Sequence, residues 1–207
     1  LLGELHVAGK IEWQAFDQAE YVWKMSKKFG KTYDYLASHL RWSRSKLAQK
    51  IAAYEETSKY IERTGDPQGT KRFSHFEECM KKKALRDSHE ADPVFMIKFG
   101  DWVLDGKFPD AKDVRHLPAI LENEKAKQKF LTSGIREAQK VLFESNPSLA
   151  SNLYSAVDQA AVELENASLS EVKALKEGDK VKHNKIKRLV IAIKKLEEFS
   201  GVKFEKA

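Results

Sequence analysis

Apolar residues recur every three or four positions along most of this chain, the period of helices packed by one face. Residues 32–51 read TYDYLASHLRWSRSKLAQKI, and there Tyr33, Leu36, Ala37 and Leu40 mark a short first helix. Trp42 and Ser43 break the pattern. Ser43 is a good N-cap, because its hydroxyl can accept a hydrogen bond from a backbone N–H two or three residues on. A second helix follows, with Leu47 and Ile51 four apart on its buried side. Small Ala37 lies where the second helix must cross closely. A small residue, a turn and then aliphatics ten and fourteen positions on is the spacing of a helix-turn-helix.

Before it, residues 5–13 read as extended, and a helix starts near Phe16 and closes at Gly30. After it, Ala52, Ala53, Tyr54, Tyr60 and Ile61 prolong the second helix to the turn-rich run TGDPQG at residues 64–69. That run is the best linker in the chain and should be irregular and exposed. It divides the chain into residues 1–66 and residues 67–207. A helix is expected from Phe73 to Arg86, another from Asp92-Pro93, and a short one over residues 113–117. Further helices follow over residues 135–143 and 147–165. Ser168 and Glu171 have the spacing of a capping box. The last helix carries Ile186, Leu189, Val190, Ile193 and Leu196 as one apolar stripe. That stripe must be covered, either by the helix with Val157, Ala161 and Leu164, which is preferred, or by a second copy. The expected class is all-α: a helix-turn-helix followed by a second multi-helix domain.

Composition narrows the class. The 42% hydrophobic fraction supplies a core, and 33% of the residues are charged. No apolar run nears the roughly 18 residues of a membrane span, and the first residues lack the form of a signal peptide. A cytoplasmic, nucleoid-associated protein is expected. The chain begins at Leu1 and reads as part of a longer protein. The one cysteine, Cys79, permits no internal disulfide and reads as a small core residue.

The net charge of +6 is unevenly placed. Eight Lys or Arg lie within residues 24–50 against one acid, Asp34, so the rest of the chain is nearly neutral. This excess coincides with the helix-turn-helix, and a phosphate backbone is its natural partner. Arg44, Ser45 and Gln49 stand near the N-terminal half of the second helix, the half that enters a major groove, and are the expected base contacts. Lys24, Lys27, Lys28, Lys31, Lys46 and Lys50 are the expected phosphate contacts. The plain alternative is a helical hairpin with a solvated basic face, since Arg41 stands where a turn glycine is usual. Trp42 either closes the hairpin core or touches the sugar-phosphate edge.

Other chemistry finds little purchase. The six histidines show no zinc spacing, alone or with Cys79. The glycines form no phosphate-cradling loop, and no nucleophile motif is present. Asp101 and Asp105, four apart, read as solvated helix acids. No catalytic residue, metal or cofactor is expected in this chain, and no membrane partner.

Residues 15–61, AFDQAEYVWKMSKKFGKTYDYLASHLRWSRSKLAQKIAAYEETSKYI, resemble the central DNA-binding region of ParB-type partition proteins. Gln18-Ala19 matches that family's helix start, and Ser43-Arg44-Ser45 matches the turn before its recognition helix. HVAGKIEW resembles the family's exit from its N-terminal nucleotide-binding domain, and DAKDVRHLPAILENEKA resembles a downstream segment of some relatives. The resemblance covers roughly residues 6–65 and 110–127. The family's N-terminal domain contacts CTP through a Gly-x-x-Arg-Arg motif. This chain has no Arg-Arg pair, so any nucleotide chemistry would lie outside it. The resemblance implies a duplex-binding protein of segregation, plasmid maintenance or regulation. Double-stranded DNA is the expected partner, with a second copy (a homodimer) or a partner protein on the C-terminal part. The competing reading is a helical protein-interaction module whose helix-turn-helix is only a scaffold.

Overall fold

The computed structural model describes residues 14–146 and 152–203, and every regular element among them is helical. The extended stretch expected over residues 5–13 lies outside the described residues. Helix α1 (Ala15–Trp23) widens into a π turn at Lys24–Lys28 before the chain turns at Gly30. Helix α2 (Tyr33–Leu40) is capped by Thr32, whose hydroxyl accepts from the Tyr35 N–H at 3.2 Å. Helix α3 (Arg44–Thr64) is the long element on which the rest is assembled. Its cap is Ser43, whose hydroxyl accepts from the Lys46 N–H at 3.1 Å. It ends at Gly65, in the left-handed region with φ of 64°, where a side chain would be strained.

Two apolar clusters meet along α3. Its first half contributes Leu47 and Ile51 to a small core with Val22, Leu36, Ala37, Leu40 and Trp42. Its second half contributes Ala53 and Tyr60 to a larger core, which begins with Ala19 of α1. That core continues through α4 (Phe73–Lys81), α5 (Lys83–Ala91), α6 (Phe95–Leu104), α7 (Leu117–Glu122), α8 (Glu124–Ser133) and α9 (Ile135–Ser145). Phe76, Phe99, Phe108 and Phe130 form an aromatic chain through it, with ring centroids 5.3 to 5.5 Å apart. Full burial of such a side chain contributes about 1.5–3 kcal/mol.

The turn at residues 65–69 is irregular up to Gly69, where a 3-10 turn begins (Gly69–Arg72). Gly65, Pro67 and Gln68 are exposed, but Gly69 is buried against Ile61. Apolar packing runs across this turn, since Tyr60 on one side and Phe76 on the other have ring centroids 5.3 Å apart. The Tyr60 hydroxyl also donates to Asp66 at 2.5 Å and ties the turn to α3. The helix expected over residues 73–86 is two helices. Extended backbone at Lys82 (ψ 117°) divides them and swings Leu85 back into the core. Cys79 is fully buried there, as its sequence context led one to expect.

The C-terminal helices are α10 (Asn152–Glu165), α11 (Leu169–Lys176) and α12 (Lys180–Ser200). The capping box forms: the Ser168 hydroxyl accepts from the Glu171 N–H, and the Glu171 carboxylate accepts from the Ser168 N–H. The preferred burial of the Ile186–Leu196 stripe does not occur. No residue of α12 is buried, and Val157 and Leu164 on α10 are 54% and 49% exposed. The reason is the packing: α12 folds back chiefly on short α11, and α10 is held to the body by polar contacts. Among the described residues those contacts include Arg115 to Gln159 of α10 at 2.7 Å and Gln49 to Asn166, just past its end, at 3.2 Å. Among the described residues no helix is long and apolar enough to cross a membrane.

Candidate nucleic-acid interface

Arg41 is the one non-glycine residue with positive φ (56°) among those described, at the tight turn between α2 and α3. A left-handed L-residue costs about 1–2 kcal/mol, so the surrounding packing must hold it. Trp42 supplies that packing: it is 9% exposed, with the Lys46 ammonium 4.7 Å from its ring centroid. Of the two roles open to Trp42 in the sequence, it takes the core one.

The residues expected to read bases lie together. Arg44 and Ser45 are exposed at the first turn of α3, and Gln49 is half-buried one turn on. Exposed Ala48 and half-buried Ala52 complete this face, so α3 itself adds no bulky side chain to it. Arg44 is held by Asp34 of α2: its Nε lies 2.5 Å from the carboxylate and a terminal nitrogen also reaches it. Both side chains are about two-thirds exposed, so this pair is a solvated one of small net strength. The Gln49 amide donates to Ser45 Oγ at 3.1 Å and to Asn166 Oδ1 at 3.2 Å.

The expected phosphate contacts separate into three groups. Lys24, Lys27, Lys28 and Lys31 lie on the π turn and the loop after α1. Lys24 pairs with Glu20 at 2.9 Å, and hydrogen bonding to that carboxylate raises its pKa. Lys27 lies 3.5 Å from Glu55, while Lys28 and Lys31 stand over Trp23 and Tyr35. These four are surface cations. Lys46 is a second case: it is exposed, but it lines a cleft where partial desolvation, and then Lys50 beside it, push its pKa down. Lys50 is a third case and is not a surface residue. It is 7% exposed, its ammonium is 2.7 Å from Glu77, and it stands 5.2 Å from the Phe73 ring centroid. Lys50 follows Leu47 by three and precedes Ile51, which puts it on the stripe that α4 covers.

The cleft beside Lys46 escaped the reading of the chain by local pattern. It is open, with a volume of about 1160 Å³, and separates the turn and first half of α3 from α11 and α12. Arg41 and Lys46 stand on one wall, Lys182 and Lys185 on the other, and Lys50 and Lys81 at the back. Their convergence joins residues more than 130 positions apart, which no local spacing encodes. Glu78, near Lys81, illustrates how the body balances its charges. Burial would raise its carboxyl, but hydrogen bonds from Arg115 (2.6 Å) and Lys81 (2.9 Å) prevail and hold it low.

Among the described residues no group of three or more His, Cys, Asp or Glu is placed to hold a metal ion. Asp101, one of the two helix acids noted in the sequence, is 2.7 Å from Arg63. Asp105 closes α6 at its C-terminal end. No protein-family model, curated protein or solved structure matches the chain.

Proposed function

We propose that this chain binds double-stranded DNA as a ParB-like protein, with the N-terminal half of α3 in the major groove. The observation that carries the reading is the face of α3 made by Arg44, Ser45, Ala48 and Gln49. It joins exposed Arg44 and Ser45 and half-buried Gln49 to small residues at the end of the helix that a groove admits. Lys27, Lys28 and Lys31, on the π turn and the loop after α1, supply the cations that a phosphate backbone attracts. Arg44 exchanges solvated Asp34 for a guanine edge, and Gln49 exchanges Asn166 for an adenine edge. The protein's work in this reading is recognition.

Anisotropy of a labelled duplex across a salt series tests the reading. Affinity should fall with a log–log slope of about −0.9 per neutralised phosphate. Lys27→Gln with Lys28→Gln should flatten that slope by about 1.8 on the same scale, on every duplex alike. An unchanged slope in that variant would remove these lysines from the interface. A wild-type chain with no salt-sensitive binding at about 50 mM salt would leave the helix-turn-helix a scaffold, and the protein-interaction reading would replace this one.

A further inference from the structure

The cleft between α3 and the C-terminal helices carries more cations than carboxylates, though Lys182 has Asp179 at 3.7 Å. Lysines or arginines line it at six positions against three carboxylates, those of Glu77, Glu163 and Glu171. Glu77 is taken up by Lys50 at 2.7 Å and Lys81 at 3.8 Å. Glu171 accepts from the backbone and hydroxyl of Ser168 at 2.7 and 2.6 Å. Glu163 accepts from Gln159 at 3.5 Å. Arg41, Lys46 and Lys185 have no carboxylate within ion-pair distance among the described residues. A concave wall with unpaired cations on both sides is suited to a polyanion.

Helix geometry says which polyanion fits. Successive residues of a helix advance by about 100°, so Glu55 lies only about 20° round α3 from Arg44. Lys27 meets α3 at Glu55, which places it at Arg44's angle on the helix but eleven residues, about 16 Å, further along the axis. Gln49 and Lys46 lie about 140° and 200° round from Arg44, on the opposite edge, and that edge faces the cleft. A major groove about 12 Å wide closes on a helix about 10–12 Å across, so one DNA strand runs along each edge. One strand runs along Arg44's edge. The other runs along the edge that opens into the cleft.

We infer that the cleft holds the second backbone strand of the bound duplex. Arg41 and Lys46 contact it from the helix-turn-helix side, and Lys182 and Lys185 of α12 contact it from the other. The inference rests on the DNA-binding reading above and adds to it a partner for the C-terminal helices: they grip phosphate. It also gives the covering wall a purpose, since Asn166 holds Gln49 beside the strand's path until a base replaces it.

The test uses the full chain in a duplex salt series with two double variants. Lys182→Gln with Lys185→Gln removes two cleft charges. Lys187→Gln with Lys194→Gln removes two exposed charges of the same helix that do not line the cleft. All four side chains are exposed, so circular dichroism and the unfolding midpoint should match wild type in both. The cleft variant should flatten the slope by about 1.8, and the outer variant should leave it nearly unchanged. Equal flattening by both would make the effect one of general charge and overturn the inference. A flat response of the cleft variant, beside a normal response of the Lys27 and Lys28 variant, would also overturn it while leaving DNA binding intact. Loss of binding to poly-glutamate through Lys182 and Lys185, in a wild-type chain that ignores duplexes, would assign the cleft to an acidic protein segment. That outcome would sink both readings.

Discussion

Replacing Lys50 by methionine separates two roles for a residue that sequence alone assigns to phosphate. In the fold its ammonium is 2.7 Å from Glu77, its side chain is 8% exposed, and Glu77's is 16% exposed. Methionine keeps the contact with Phe73 and leaves Glu77 short of a partner. Breaking a buried pair on one side costs about 3–5 kcal/mol. Here Glu77 keeps some solvent and has Lys81 at 3.8 Å, so partial compensation lowers the expected loss to about 2–3 kcal/mol. Urea unfolding followed by tryptophan fluorescence should show the midpoint falling by about 1 M with the slope unchanged. Adding Glu77→Leu should recover most of the loss, because an apolar pair of similar volume replaces a buried ion pair at little cost. The duplex salt slope should stay as in wild type. A loss under about 0.5 kcal/mol, the range of ordinary surface substitutions, would refute the structural role. So would a salt slope flattened by about 0.9, the signature of one phosphate contact.

Two further substitutions test the junction between α3 and the larger core. The Asp66 carboxyl is held below its ordinary pKa, first by the Tyr60 hydroxyl and then by the Gln68 N–H. Its stabilisation is therefore fully present above the unfolded value of about 3.9 and lost as pH falls through the lower folded value. Tyr60→Phe should cost about 1.5–3 kcal/mol at neutral pH, the worth of a hydrogen bond to a charged group. The gap from wild type should narrow below about pH 4, and a gap that stays constant from neutral to acid would contradict this linkage. On the alkaline side the phenol, raised to about 12 by burial and then by Asp66, keeps the bond until pH passes that value. Gly69→Ala places a methyl 2.3 Å from Ile61 Cγ1, so it should destabilise by about 1–3 kcal/mol in thermal unfolding, and Ile61→Ala beside it should relieve the clash. An unchanged midpoint in the single variant would show that the turn yields freely.

The helical class and the α2–α3 hairpin are legible in the chain because their signals are local. Ala37, Leu47 and Ile51 sit at spacings that only a helical pair satisfies, and Ser43 has the chemistry of a cap. Arg44 and Ser45 reach the exposed edge because helix phase decides it, while Gln49 is half-buried beside Asn166, a neighbour that no local spacing encodes. Lys50 misleads by type: its charge suggests surface, while its phase, three after Leu47, already puts it on the buried side. The fate of the Ile186–Leu196 stripe depends on which helix α12 meets, and no spacing within α12 encodes that. The cleft is hidden for the same reason, since Lys46 and Lys185 are neighbours only through the path of the whole chain.

Arg44 carries the account's central claim, and a selection from random duplexes tests it most directly. The wild-type chain should enrich one sequence, and Arg44→Ala should lose the preference at one guanine. A bidentate contact of that kind discriminates by about 1–3 kcal/mol, which is roughly 5- to 150-fold between cognate and mismatched duplexes. Nonspecific affinity and its salt slope should change by no more than one phosphate's worth. Enrichment of the same sequence by wild type and Arg44→Ala alike, or of none by either, would contradict the placement of α3 in the groove.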